Sequence, residues 1–159
     1  MKRRAMKTIL ITALILTLAF NVVFADENNT NSEEVLIMKA KTKAAGTREG
    51  DWRALADCAK DLLDQRIRCD EEFDWLLKSI AVNENYYNLT VLGDYYRLNL
   101  DFTRAYENYI KAILSAQKDR KMSVIPNIQW KILITMGSKN YYDFKDKQAN
   151  KNTTQFHLE

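Results

Sequence analysis

LTVLGDYYRLNLDFTRAYENYI, residues 89–110, places one glycine inside an apolar, tyrosine-rich segment whose spacing is helical. A glycine in a helix interior costs about 1 kcal/mol relative to alanine, and this chain has only four glycines. A close approach of two helices explains Gly93, because a side chain there would keep the two backbones apart. The next segment also carries a small residue, Ala105, shortly before Tyr109. We therefore predict a hairpin of two helices that pack tightly where Gly93 and Ala105 lie.

The remainder of the chain shows the same helical periodicity, and no segment has the alternation typical of a strand. The predicted helices are 32 to about 45, closed by Gly46; one capped by Asp51; 70 to about 82; 86 to about 98; one after Asp101; and one with Pro126 in its first turn that ends near Met136. Short connections make sequential helices antiparallel neighbours. The predicted fold class is all-α, a short α-α superhelix of antiparallel helix hairpins with about six helices.

The segment around Gly93 also follows a fixed spacing, with Leu89, Leu92, Gly93 and Tyr96 in the first helix, then Ala105, Tyr109 and Ala112 in the second. This spacing resembles the tetratricopeptide repeat (TPR), whose pattern is W-x2-L-G-x2-Y and then A-x3-F. In a TPR-like hairpin the small residues lie where the helices approach closely. The two tyrosines fill the space beside them.

A weaker copy of the pattern precedes it, with Trp52, Leu55 and Ala56 in the first helix and Leu76 with Ser79 in the second. The first-helix motifs are 37 residues apart and the second-helix motifs 33, which a short insertion near residues 61–69 would explain. A third trace, Leu133, Met136 and Gly137, lacks the expected aromatic residues and is interpreted as a degenerate repeat or a capping helix. The resemblance thus implies a TPR-like domain over residues 32–138. Residues 139–159 are either a polar tail or a degenerate repeat.

Proteins of the TPR class commonly bind peptides or protein segments in a concave groove lined by the first helix of each hairpin. Carried over position by position, the resemblance implies these partner-binding residues: Arg53, Asp57, Lys60, Tyr87, Thr90, Asp94 and Arg97. The alternative is that they are ordinary exposed polar residues. They do not reproduce the Lys/Asn arrangement of the carboxylate-clamp members, so capture of a C-terminal carboxylate is not implied.

The first 25 residues have the features of a secretory signal peptide. A basic start, MKRRAMK, precedes an apolar segment, and Val23-Phe24-Ala25 provides a small-residue cleavage signature before polar sequence. The alternative is an uncleaved membrane anchor, since the apolar run of 17 residues lies at the lower limit for spanning a bilayer. Both interpretations export the domain, to the periplasm or outside the cell. Residues 26–31 are Asn-rich and are predicted to form a disordered linker.

Nothing in the sequence favours catalysis, and no cofactor or metal is expected. The one histidine, His157, lies near the end of the chain. Cys58 and Cys69 have no further cysteine or histidine at zinc-ligand spacing. In an exported chain the two cysteines could be oxidised to a disulfide. An offset of two helical turns, however, would separate the thiols by about 12 Å, which is beyond bridging distance. The sequence does not decide whether Cys58 and Cys69 form a disulfide.

Charge gives little support for nucleic-acid binding. The chain has 24 Lys and Arg against 21 Asp and Glu, but Lys2, Arg3, Arg4 and Lys7 lie in the predicted signal peptide, so the rest is slightly acidic. The leading hypothesis is an exported, non-enzymatic scaffold that binds a peptide or protein partner through a TPR-like groove, with homo-oligomers possible because incomplete caps leave apolar surface. The alternative is a helical assembly factor of an envelope complex. It would be anchored to the membrane through an uncleaved N-terminus.

Overall fold

The computed structural model describes the backbone of residues 32–155 and the side chains of residues 32–148. The predicted signal peptide and the predicted linker lie outside these described residues. The chain divides into two compact units, Met1–Lys39 and Ala40–Glu159. In the described part of the first unit the backbone is helical, and the side chains of Val35 and Met38 are exposed.

Six α-helices and no strand occupy residues 32–155, which confirms the all-α fold class. The helices are α1 (32–45), α2 (Trp52–Asp64), α3 (Glu72–Val82), α4 (Tyr86–Leu98), α5 (Phe102–Lys118) and α6 (Ile125–Gln155), with a short 3-10 helix at Met122–Val124. None of these described helices is both long and apolar enough to cross a bilayer.

Side-chain caps begin three of the helices. The carboxylates of Asp51 and Asp101 accept a hydrogen bond from the backbone N–H three residues further on, at 3.0 and 3.1 Å. At the start of α4, Asn85 and Asn88 each accept from the other's backbone N–H, at 3.4 and 3.0 Å. Such bonds satisfy the N–H groups that the first helical turn leaves unpaired. The cap at Asp51 is as predicted, and α5 begins after Asp101 as predicted.

The helices from α2 onward pack as hairpins. Consecutive helices are in contact, α2 with α3, α4 with α5 and α5 with α6, and α4 packs most extensively on α5. A further contact joins α2 to α4. A hydrogen bond links α2 to α4, and a salt bridge links α4 to α6. These three helices therefore share one side of the unit.

The ring of Tyr109 lies directly on the backbone of Gly93. A Cβ built on Gly93 would lie 2.6 Å from Tyr109 Cδ1 and closer still to Cε1, which is nearer than real Cβ contacts allow. Tyr109, Ala105 and Ala112 are fully buried, together with Leu89 and Ile128 in the same cluster. The close approach predicted for Gly93 is therefore present, and the large side chain that fills it is the buried Tyr109.

The preceding helices are joined through a buried polar contact. The hydroxyl of Ser79, on α3, donates to the carbonyl of Trp52 at the start of α2, at 2.7 Å. The Asn88 amide, on α4, donates to the Ser79 hydroxyl at 3.1 Å and to the Asn83 carbonyl at 2.8 Å. Ser79 and Asn88 are completely buried, so these bonds offset the cost of removing polar groups from water. They fix α4 against the α2–α3 hairpin.

Ala56, Leu76, Leu89 and Leu92 are buried, whereas Trp52, Leu55 and Tyr96 are half-buried at the edges of the helix contacts. Leu77, next to the buried Leu76, is 45% exposed.

Two helix boundaries and the conformation of one connecting glycine differ from the prediction. The third helix begins at Glu72 rather than at residue 70, because the Glu72 carboxylate accepts from the Cys69 backbone N–H at 2.6 Å and closes the preceding turn. Gly46 follows α1, but the left-handed glycine of this connection is Gly50, with φ of 86°. The sixth helix continues past Met136 to Gln155, since no proline or cap follows Gly137 to end it.

The third trace of the small-residue pattern is not a packing site within the described residues. Leu133 and Met136 are more than half exposed, and nothing lies within 4 Å of a Cβ built on Gly137. Ile128 and Thr135 are instead the buried residues of α6. The two cysteines are free, as the helical offset indicated.

Replacing Gly93 with alanine should destabilise the fold, although alanine favours helix. The added methyl must displace a completely buried ring, and overpacking outweighs the gain in helix propensity, with a net loss of about 1–2 kcal/mol in the free energy of unfolding. Chemical denaturation of the full chain measures this. Gly46→Ala is the control, because its added Cβ has only ordinary contacts. Equal stability of both variants would contradict the close contact.

Acid should weaken the contact between residues 41 and 71. Hydrogen bonds from the Cys69 thiol at 2.8 Å and the Lys41 ammonium at 2.7 Å lower the pKa of Glu71 from 4.5 to about 2. A lowered carboxyl pKa stabilises the folded state above pH 4.5, and this contribution disappears as the pH falls towards 2. Glu71→Gln should therefore show a flatter loss of melting temperature between these pH values. The exposed Glu84→Gln should retain the wild-type profile.

Candidate binding groove

A groove with a volume of about 460 Å³ opens between α2, α4 and α6. Its lining comprises Lys60 from α2, Tyr86, Tyr87, Thr90, Val91 and Asp94 from α4, and Ser123, Val124, Asn127, Ile128 and Lys131 from the 3-10 helix and α6. Four of the seven predicted partner-binding residues belong to this set. The other three, Arg53, Asp57 and Arg97, contact members of it.

At one end of the groove, Asp57 connects α2 to α4. Its carboxylate accepts hydrogen bonds from the Tyr87 hydroxyl and from Arg53 Nε, the latter at 3.2 Å. The Arg53 guanidinium lies 3.7 Å from the centre of the Tyr87 ring, which is a cation–π contact. Burial, followed by the hydrogen bond to Asp57, raises the pKa of Tyr87. The hydroxyl therefore remains protonated, and the ring is held with one face under the guanidinium.

Further along, Asp94 connects α4 to both α5 and α6. It accepts from the Tyr109 hydroxyl at 2.8 Å and from Lys131 Nζ at 2.6 and 2.7 Å, so that both carboxylate oxygens are used. Arg97 approaches the same carboxylate at 3.8 Å. Burial, then the charge of Asp94, raises the pKa of Tyr109 and keeps it a donor. A carboxylate with 10% exposure is thus compensated by one ammonium and one hydroxyl.

Lys60 and Thr90 each have a partner within their own helix. Lys60 pairs with Asp64 one turn along α2. The Thr90 hydroxyl donates to the Tyr86 carbonyl at 2.6 Å, leaving its methyl to the groove. Arg97 Nε is buried and has no hydrogen-bond partner among the described residues. The structure therefore brings all seven residues into one continuous strip along α2 and α4.

Sequence reasoning missed the third wall of the groove. Asn127, Ile128 and Lys131, on α6, line it opposite Thr90, Val91 and Asp94, which lie 37 residues earlier. The same 37-residue interval separates Asp57 from Asp94. Extending it once more from Asp94 would have predicted Lys131, whereas the trace beginning at Leu133 led away from the groove.

The charges around the groove are largely neutralised within the chain. Arg53, Lys60 and Lys131 each pair with an aspartate, and both oxygens of Asp94 accept hydrogen bonds within the chain. No group of three or more potential metal-ligating residues occurs in the described part of the chain. The groove therefore offers an apolar floor, two tyrosine rings and uncharged polar groups.

The thiols lie outside this groove and have low nucleophilicity. Burial, then the hydrogen bond to Glu71, raises the pKa of Cys69 to about 11. Burial likewise raises the pKa of Cys58. With these raised pKa values, both thiols remain protonated near neutral pH. They are therefore unreactive, because the thiolate is the reactive form.

The fold and groove define a class of protein: an all-α chain of helix hairpins with a mixed apolar and polar groove along three of its helices. No protein-family model, curated protein or solved structure matches the chain.

Removing the Asp94 carboxylate should be costly to the fold. Asp94→Ala leaves the buried Tyr109 hydroxyl and the Lys131 ammonium without their acceptor, so we expect a loss of about 2–4 kcal/mol in the free energy of unfolding. Denaturant titration of the full chain checks this. Asp143→Ala removes the exposed pair with Lys139 on the same helix and should cost at most about 0.5 kcal/mol. Comparable losses for the two variants would show that Asp94 is not a link between helices.

Proposed function

We propose that the chain is an exported, non-catalytic, TPR-like scaffold that binds an extended segment of a partner protein in the groove between α2, α4 and α6. The observation that carries the proposal is the convergence of residues implied by the TPR resemblance. Lys60, Tyr87, Thr90 and Asp94 line one groove, although they come from two helices. The small-residue contact at Gly93 supports the same resemblance, since it lies at the position where the pattern needs a small side chain.

The surface of the groove favours a peptide of mixed character. Val91, Val124 and Ile128 form apolar floor that can cover a large side chain of the ligand. Thr90, Ser123 and Asn127 add uncharged hydrogen-bonding groups around it. An extended peptide can contact both the apolar floor and the hydrogen-bonding groups, because its side chains are in part apolar and its backbone carries a donor and an acceptor at each residue.

The paired charges argue against a strongly charged ligand. Each groove cation already has an aspartate partner, so binding a phosphate or a nucleic acid would require breaking an internal ion pair. A protein segment with few net charges avoids that cost. The proposal therefore predicts selection by shape and apolar contact, with a weak dependence on salt.

The groove can be tested with a random peptide library displayed on phage and panned against the full chain. Enriched peptides, labelled and titrated by fluorescence anisotropy, should bind wild type. Asn127→Trp, which places a bulky ring at an exposed groove position, should weaken binding by about tenfold or more. Thr90→Trp should do the same from the opposite wall.

The matched control is Lys111→Trp, which introduces the same ring at an exposed position on α5, away from the groove. Helicity and melting temperature of each variant establish that it is folded. Peptides that bind Asn127→Trp and Thr90→Trp as tightly as wild type would place the binding site elsewhere. Failure to enrich any peptide would argue against peptide binding itself.

A further inference from the structure

A stripe of apolar side chains runs along the exposed side of α6. Its members, which we call the α6 stripe, are Trp130, Leu133, Ile134, Tyr141 and Phe144, with Gly137 at the centre. Each of the five large side chains is between 40% and 62% exposed. At about 100° per residue the six positions lie within about 60° of one line along the helix, over about 21 Å. The stripe contains no charged residue.

The opposite side of α6 is also apolar, and that side packs on the rest of the chain. Ile128 and Thr135 are buried there, and the ring of Tyr142 lies 5.6 Å from the ring of Phe102 on α5. A helix on the surface of a globular unit needs one apolar side, facing the core. A second, exposed apolar side of this length is typical of an interaction surface.

We propose that the α6 stripe is the interface of a symmetric dimer, in which α6 packs antiparallel against α6 of a second copy of this chain with Gly137 on the two-fold axis. Such an axis pairs positions that are equally distant from residue 137. Trp130 and Phe144 both lie seven residues from it, and therefore meet each other. Leu133 and Tyr141 both lie four residues from it and also meet. A two-fold interface requires a surface that is complementary to itself. Binding to an unrelated partner does not require this.

Gly137 gives a second reason for this arrangement. Within the described residues nothing lies within 4 Å of a Cβ built there, so packing inside the chain does not explain the glycine. A glycine in a helix interior costs about 1 kcal/mol, which a close helix–helix contact offsets. The hairpin contact at Gly93 shows the same use of a glycine inside the chain.

The size and charge of the surface suit a moderately stable dimer. An aromatic side chain buries about 150–250 Å² when fully covered, so covering the stripes of two copies removes on the order of 1,000 Å² from water, near the lower limit for specific interfaces. Lys139 and Asp143 pair with each other at 2.6 Å and lie about 160° and about 120° around the helix from Gly137, so this ion pair stays outside the stripe. None of the stripe residues lines the groove, so the dimer and the proposed peptide binding can fail separately.

Sedimentation velocity of the full chain between about 1 and 100 µM tests the proposal. We expect a monomer–dimer equilibrium in this range, with Leu133→Lys and Tyr141→Lys each weakening the dimer by about tenfold or more at unchanged helicity. Leu114→Lys is the matched control, because Leu114 is 59% exposed on α5 and outside the stripe. A chain that stays monomeric throughout, including one whose stripe is covered by its own residues 1–31, would overturn the proposal. So would a dimer that both stripe variants leave intact.

Cysteine cross-linking tests the antiparallel geometry. A mixture of Leu133→Cys and Tyr141→Cys chains should form a disulfide between the two different variants on mild oxidation, located by mass spectrometry of the peptides. Leu114→Cys should form none. A disulfide that joins two Leu133→Cys chains instead would mean either parallel helices or an axis at residue 133, and both would remove Gly137 from the axis.

Discussion

The contact between the Tyr109 ring and the Gly93 backbone is the constraint on which the other helix contacts depend. The ring can lie there only because residue 93 has no side chain, and it brings α5 close to α4. Its hydroxyl then reaches Asp94, whose carboxylate also binds Lys131 of α6. One buried side chain thereby joins α5 to α4 through its ring and its hydroxyl, and moving the ring would also remove the Tyr109 hydrogen bond from the Asp94 carboxylate.

The same carboxylate explains why the groove has stable walls. Two aspartates 37 residues apart each connect two of the helices that line the groove. Asp57 joins α2 to α4, and Asp94 joins α4 to α6. A partly buried carboxylate is costly unless its hydrogen bonds are complete. Both aspartates meet this requirement with a tyrosine hydroxyl and a cation. Their role in the groove is therefore to fix its shape, and the tyrosine rings and the apolar floor are left to meet a ligand.

The last helix differs from the others because it has two apolar sides. On one side, Ile128 belongs to the buried core. On the other side, the α6 stripe is exposed to solvent. Glycines occupy comparable places in the two settings: Gly93 where helices touch within the chain, and Gly137 where the proposed second copy would touch it. A surface of this kind lets one chain offer an interface for assembly and a groove for a partner without sharing residues between them.

The number of helices, the cap at Asp51, the start of a helix after Asp101 and the close approach at Gly93 could be predicted from the sequence by itself. These features depend on residues within one or two helical turns, or on a small residue whose cost has few explanations. Tertiary structure decided the third wall of the groove and the partners that Asp57 and Asp94 find on other helices. The reason is physical: α4 and α6 both pack on α5, which brings Lys131 to Asp94, and no local pattern in the chain records a contact between residues 37 positions apart on different helices.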